Sequence, residues 1–354
     1  MTPQPEPIVA PLAPTTPSEA TEVQQRDAGA DQRRFSGGWR IIARKELADH
    51  LHSLRFLLLT LGLGLAAVAS VVATSGGIRD VAPLASGSPA VFLKLFTIGS
   101  SNLPPLVTWI AFLGPLLGIA FGFDAINNER AERTLPRLLS QPIWRDDVIN
   151  GKFAGALAAI ALILAAIVIV IAGVGIVRLG VVPKPEDILR LAVWYIVAIV
   201  YVGFWLALAT LFSVVLRRAA ASALAALSVW LIASAFATVL VGVIADALAP
   251  IPASPTFDEQ LANATMHQDL ARLFPGEIFT ESTRAILDPG VQAIGVGDQV
   301  QLAISNQAGE AIPSVLSFGQ SLLVVSPLVV VLVALTVACF ALAYVAFMRQ
   351  EVRA

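Results

Sequence analysis

The chain has 354 residues, of which 56% are hydrophobic and 14% charged, and a formal net charge of -2. An average soluble domain carries roughly 25% charged residues, so this composition excludes an ordinary water-solvated globule and points to a chain surrounded mainly by lipid. One cysteine, Cys339, excludes an intramolecular disulfide, and with no second Cys or His cluster nearby it reads as a small apolar packing residue rather than a metal ligand.

Residues 1–34 are rich in Pro, Thr, Glu, Ala and Gln and nearly devoid of large apolar side chains. Such a segment cannot bury enough surface to offset its ordering entropy and is expected to be a disordered tail. It lacks the basic start and short apolar core of a cleaved signal, so the first span is expected to be an uncleaved anchor. Over 35–55, Trp39, Ala43, Leu47, Leu51 and Leu54 recur at helical spacing, with Arg40, Arg44, Lys45 and Asp49 on the other side. This pattern predicts an amphipathic interfacial helix whose cations face anionic membrane lipids, although a plain juxtamembrane stub fits the same residues.

Six uncharged apolar runs follow: Phe56 to Ile78, Leu95 to Phe123, Phe153 to Val177, Leu191 to Leu216, Ala219 to Ala245 and Ala311 to Met348. Each exceeds the ~20 residues a helix needs to cross a bilayer core. Two are overlong. Pro104 and Pro105 suit a helix start and Gln320 a membrane boundary, which trims those spans to Leu103–Phe123 and Leu323–Phe347. If the N-terminus is cytoplasmic, 16 of the 23 Lys and Arg residues fall in inner segments, as the positive-inside rule requires for six spans with both ends inside.

In the second span Gly114, Gly118 and Gly122 share one helical face, where small residues let backbones approach. Packing within the chain and a contact with a second copy both fit, and Pro115 in the same stripe predicts a bend. No Asp, Glu, Lys, Arg or His lies in mid-span. This disfavours an ion-coupled carrier, which usually places such groups at depth. The scattered Thr108, Thr210, Ser213, Ser222, Ser228, Ser234 and Thr238 more often bond back to their own helix or a neighbour than line a path. Gly151-Lys152 ends like a phosphate loop, but Asp146 stands where its first glycine should be and Phe153 where it needs Ser or Thr. No catalytic, cofactor or metal site is expected in this chain.

Between the second and third spans lies a charged loop, residues 124–152. Leu135, Leu138 and Leu139 form an apolar stripe too short to cross a membrane, ended by Pro142 and rimmed by Glu129, Arg130, Glu132, Arg133, Arg137 and Arg145. An apolar centre with a charged rim is the anatomy of a protein interface, and equally that of a solvated hairpin. The ordered set Asp124, Glu129-Arg130, Thr134-Leu135, Leu138-Leu139-Ser140, Pro142, Arg145 and Gly151-Lys152 resembles the inner-loop signature of ABC-2-type permeases, the membrane subunits of one branch of ATP-binding-cassette exporters. Arg133 departs from the pattern, which has glycine there. Ile42-Ala-Arg-Lys-Glu-Leu-Ala-Asp49 is similar to the family's entry helix, and Phe274-Pro-Gly-Glu-Ile-Phe279 to its proline-containing segment before the last span. The similarity points to the branch containing the permease of the nitrous-oxide-reductase maturation transporter.

The stretch 246–320 holds nine acidic and two basic residues and is too long for a simple connection. Helices are predicted over Phe257 to Leu273 and Gly276 to Leu287, broken at Pro275-Gly276. Leu270, Leu273, Phe274, Ile278 and Phe279 would rest against the membrane or cap an exit, and Asn263-Ala-Thr265 matches a short glycosylation sequon. A partner-binding or gating loop and a passive cap both fit. The last segment, 321–354, carries the sixth span and a short tail.

The fold class expected is all-α, with six transmembrane helices in 56–245 and 321–354. The resemblance implies a non-catalytic permease subunit in an inner (plasma) membrane, in a prokaryote. A separate ABC ATPase in two copies would bind ATP and Mg, docking at Glu129, Arg130, Thr134, Leu135, Leu138, Leu139, Ser140, Pro142 and Arg145. A second permease copy completes the assembly, most simply as a homodimer. No nucleic acid is expected. The alternatives are a transmitter acting on an extracytoplasmic partner, or an ATP-independent channel or carrier.

Overall fold

The computed structural model describes residues 37–81, 92–100, 103–131, 144–252, 254–288 and 317–350. Among them all regular structure is helical. In chain order the elements are α1 (Gly38–Leu51), α2 (Leu54–Val81), α3 (Lys94–Thr97), α4 (Leu106–Gly122), α5 (Asn127–Ala131) and α6 (Arg145–Leu179). Then come α7 (Pro185–Val215), α8 (Ala219–Leu231), a π-helical turn (Ile232–Phe236), α9 (Ala237–Leu248), α10 (Phe257–Ala271), α11 (Pro275–Leu287) and α12 (Phe318–Arg349). Six stretches are long and apolar enough to cross a bilayer: α2, α4 with α5, α6, α7, α8 through α9, and α12.

Helix ends fall where capping chemistry puts them rather than where hydrophobicity stops. Pro105 stands extended directly before α4, as the paired prolines predict. The third span begins eight residues ahead of its apolar run, because Trp144 is extended and Asp146 and Asp147 favour the positive start of a helix. Residues 145–152, expected as loop, are therefore the first two turns of α6. Pro185 likewise starts α7 ahead of its apolar run, and Asp187 accepts a hydrogen bond from the Lys184 backbone N–H at 2.9 Å. Gln320, expected as a membrane boundary, closes a capping box with Ser317 that starts α12. The overlong second run divides as its prolines imply, since α3 is a separate turn whose Leu95 and Phe96 are buried.

α7 is the hub. It packs against α4, α6, α8, α11 and α12, and its Trp194, Tyr201 and Trp205 are buried. The glycine stripe of α4 faces it. A Cβ at Gly118 would lie 2.6 Å from the Val202 carbonyl oxygen, and one at Gly122 would lie 2.7 Å from the Ala209 Cβ. Gly114 sits opposite Val202 and Tyr201. The stripe thus serves close packing inside one chain. Tyr201 adds a hydroxyl that donates to the Ala111 carbonyl at 2.6 Å, satisfying a polar group at depth.

At the end of the bundle away from α1, α11 is wedged among α4, α7 and α12. Its sequence sorts cleanly: Ile278, Phe279, Ile286 and Leu287 are buried, while Glu277 and Arg284 face outward. Ile278 and Phe279, expected to rest against the membrane or cap an exit, enter the core; Leu273 stays exposed. The buried Arg190 of α7 locks this arrangement. It donates to the Ile286 carbonyl at 3.1 Å and to Ser321 Oγ at 3.0 Å, and it pairs with Glu186 at 2.8 Å. A guanidinium at the last carbonyls of α11 also complements that helix's dipole. Trp194 Nε1 donates to Thr283 Oγ1 at 3.0 Å.

Candidate functional site

The candidate site is the junction of α1, α5 and the start of α6, at the opposite end of the bundle. α1 crosses α6 at contact distance because α6 offers glycine there. A Cβ at Gly151 would stand 2.6 Å from the Ile42 Cβ, and one at Gly155 would stand 2.8 Å from the Ala43 carbonyl oxygen. The face of α1 that packs is therefore Ile42, Ala43 and Glu46. Trp39, Leu51 and Leu54 of the predicted apolar stripe remain exposed, free to meet lipid.

Lys152, one residue after Gly151, is carried into this crossing and is only 7% exposed. Its ammonium bridges two carboxylates, Glu46 at 2.8 Å and Glu129 at 3.0 Å, which ties α6 to both α1 and α5. A buried ammonium needs such pairing, since desolvation alone would cost several kcal/mol per ion. Arg55 pairs with Asp124 at 2.6 Å and joins the start of α2 to the same corner.

α5 is fixed from its other side. Ser213 Oγ accepts from the backbone N–H groups of Ile126 and Asn127, at 3.0 and 3.2 Å, and so receives the free donors at the start of a short helix. Arg130 donates to the Val214 carbonyl at 3.1 Å and to the Gln350 side chain, and Gln350 in turn donates to the Val214 carbonyl at 2.7 Å. Arg145 donates to the Gln350 carbonyl at 2.8 Å and lies over the Phe347 ring. The ends of α7 and α12 are thereby bound to the same corner. Asn127 Nδ2 and Arg145 Nε are buried with no hydrogen-bond partner among the described residues.

A cavity of about 200 Å³ lies behind the Lys152 bridge, lined by Glu46, His50, Arg55, Asp124, Asn128 and Thr210 among others. His50 meets the Phe121 ring edge-on at 4.8 Å. Burial pushes its imidazole below the ordinary value of 6.5; the Lys152 ammonium adds to this, while Glu46, Asp124 and Asp49 oppose it.

Of the residues singled out in the sequence, Glu129, Arg130 and Arg145 come together here. Thr134, Leu135, Leu138, Leu139, Ser140 and Pro142 lie outside the described residues. Sequence reasoning did not assign Glu46, Ser213 or Gln350 to this corner, nor the bridging role of Lys152. The available signal was a lysine placed two turns inside a helix that continues as an uninterrupted apolar run, where only paired charge is tolerated.

Comparison with known proteins bears on this corner and on the bundle above it. The family described as "ABC-2 family transporter protein" matches residues 40–352, which takes in α1, the junction and all six spans. The chain belongs to that family. Similar proteins include the "Probable ABC transporter permease protein NosY" of Stutzerimonas stutzeri and the protein of the same description from Pseudomonas aeruginosa. Each is 33% identical to this ABC-2 protein over 121 residues, 34% of the chain. The match spans 39% of the length of each relative.

Proposed function

We propose that the chain is the permease subunit of an ATP-binding-cassette transporter, an exporter driven by a separate ATPase subunit that binds ATP and Mg. The observation that carries this is the Lys152 bridge within a chain of the ABC-2 family: one ammonium joins α1, α5 and α6 at the corner from which residues 132–143 depart. Leu135, Leu138 and Leu139 dock on the ATPase, and Glu129, Arg130 and Arg145 pass its motion into the spans. Because the corner is cross-linked by charge and held at glycine contacts, it moves as one body rather than fraying, which is what a rigid-body transition needs. Two permease copies and two ATPase copies form the complex, with the α1 end of the bundle in the cytoplasm of a prokaryotic cell and the spans in its inner membrane.

A second reading is favoured by the wedged position of α11. Helices α10 and α11 belong to the acidic 246–320 stretch, and α11 reaches between α4, α7 and α12, so movement of the spans is delivered to the outer surface. In that reading the subunit transmits ATPase motion to an extracytoplasmic partner.

The test is reconstitution. Purified alone, the chain hydrolyses no ATP; co-purified with its ATPase, the complex does. Leu138→Ala with Leu139→Ala releases the ATPase while the variant still reaches the membrane at normal levels, since truncating buried interface anchors commonly costs ~2 kcal/mol or more. ATPase activity in the isolated chain, or a double variant that assembles and works like the parent, overturns the proposal. Co-purification of an exported protein through 246–320 selects the second reading.

A further inference from the structure

Where the fifth span ends, α9, α10 and α11 enclose a cleft of about 840 Å³, within the range of small-molecule pockets. Its walls are joined by side-chain contacts. Asn263 donates to Asp246 Oδ1 at 3.1 Å and to the Ala249 carbonyl at 2.7 Å, which ties α10 to the end of α9. His267 meets the same carboxylate at 3.0 Å. Across the α10–α11 turn, Arg272 pairs with Glu281 at 2.6 Å, and Gln268 Nε2 donates to Glu281 at 3.2 Å.

What these contacts leave over is informative. Gln268 Oε1 is buried with no hydrogen-bond partner among the described residues. Glu277 and Arg284 line the cleft and form no ion pair among the described residues. Seven positions apart on α11, they lie on one helix face about 10 Å from each other. Three carboxylates line the cleft against two guanidiniums, one of which Glu281 already holds. What is left over is the Glu277 carboxylate and the Gln268 Oε1 acceptor facing the Arg284 guanidinium, with a net anionic balance once Asp246 is counted. The floor is different: Ala237 and Val241 of α9, both buried, with Ala264 and Ala271 of α10, offer apolar surface at the edge of the spans.

An acidic, acceptor-rich rim over an apolar floor fits one class of ligand. We propose that this cleft binds an amphiphile whose head carries a primary ammonium group, with Glu277 and Gln268 Oε1 accepting its N–H groups, which a quaternary choline head lacks, and Val241 receiving the apolar body. The chemistry is shared by two sources, an amine-headed phospholipid of the adjoining leaflet and a free amphipathic amine. The inference does not depend on the ATPase partner.

The test uses the full chain in phosphatidylcholine nanodiscs, titrated with 4-phenylbutylamine and, as its neutral counterpart, 4-phenylbutanol, followed by ligand-detected NMR. The amine binds at least about tenfold more tightly than the alcohol, the difference expected of one charge-assisted contact. Glu277→Gln lowers amine affinity about tenfold and shifts thermal unfolding only slightly, because the exposed side chain gives up its place in the first turn of α11 and no ion pair among the described residues. Arg284→Gln holds or raises amine affinity. Val241→Trp fills the floor and removes binding of both probes. Replacing part of the phosphatidylcholine with phosphatidylethanolamine weakens apparent amine binding if the lipid is the resident ligand and leaves it unchanged if free amines are; both results keep the site. Equal affinity for amine and alcohol, or a Glu277→Gln variant that binds like the parent, overturns the proposal.

Discussion

The rings of Tyr201 and Phe279 stack face to face, with centroids 4.5 Å apart and planes 8° from parallel. One belongs to the most enclosed span and the other to a helix outside the six spans. Their contact makes α11 part of the bundle rather than a cover laid over it, and it gives the first prediction.

Phe279→Ala removes the fully buried α11 ring that stacks on α7 and leaves a cavity between the two helices, which should cost about 3–5 kcal/mol. Thermal unfolding in detergent should shift down, and hydrogen exchange should rise over residues 275–287 while the α1–α6 crossing stays protected. Uniform loosening of the whole bundle would mean that α11 and the spans unfold as a single unit.

The same substitution should act oppositely at two glycines. Gly118→Ala places a methyl 2.6 Å from a backbone oxygen of α7 and forces the helices apart, an overpacking cost of about 1–3 kcal/mol. Gly62→Ala meets nothing within 4 Å and should be neutral or stabilising by roughly 0.5–1 kcal/mol through helix propensity. Comparing the unfolding midpoints of the two variants checks both signs.

Lys152→Met leaves Glu46 and Glu129 facing each other without their buried cation, with only the exposed Lys45 ammonium, 3.7 Å from Glu46, nearby. Breaking a buried pair in this way typically costs about 3–5 kcal/mol, and here it should also uncouple ATP hydrolysis from function. Adding Glu46→Gln and Glu129→Gln should recover most of the stability, because no uncompensated charge remains, without recovering function. Glu129→Gln alone should leave assembly intact, since Lys152 keeps Glu46, while lowering ATP-dependent function. A stability cycle together with an ATPase assay on the complex separates these effects.

Acid should weaken the same corner through His50. Its imidazole is neutral in both states above about 6.5, but burial delays its protonation in the folded chain as pH falls. Between the two values the unfolded state binds more protons, so the full stability present above 6.5 is progressively lost as pH drops toward the folded value. The charged groups that act on it are Glu46, Asp49, Asp124 and Lys152. The loss of unfolding temperature between about pH 7.5 and about pH 5.5 should be smaller in His50→Gln than in the parent. Equal losses would place the acid sensitivity elsewhere.

The spans were legible because lipid selects uninterrupted apolar runs, and a run of that length has few other uses. Their ends were less so: hydrophobicity stops where the bilayer does, whereas a helix stops where its caps do, as Asp146, Asp147 and Pro185 show. The junction of α1, α5 and α6 was half legible. Glu129, Arg130 and Arg145 were found through their spacing in the family signature, but the bridge from Lys152 to Glu46 joins residues 106 positions apart, and no local pattern encodes such a pair. The glycine stripe of α4 announced a close approach without naming α7 as its partner, because spacing describes one helix face and not the surface opposite.

The π-helical turn at Ile232–Phe236 sets how the two halves of the fifth span are aimed. A π turn holds one residue more than an α-helical turn, so everything after it is rotated by about 100° relative to an uninterrupted helix. That rotation presents Asp246 to Asn263 and His267 while α8 keeps its own contacts with α7 and α4. Deleting a single residue from the turn would therefore leave the span long enough for the membrane, yet swing Asp246 off the cleft and detach α10 from α9.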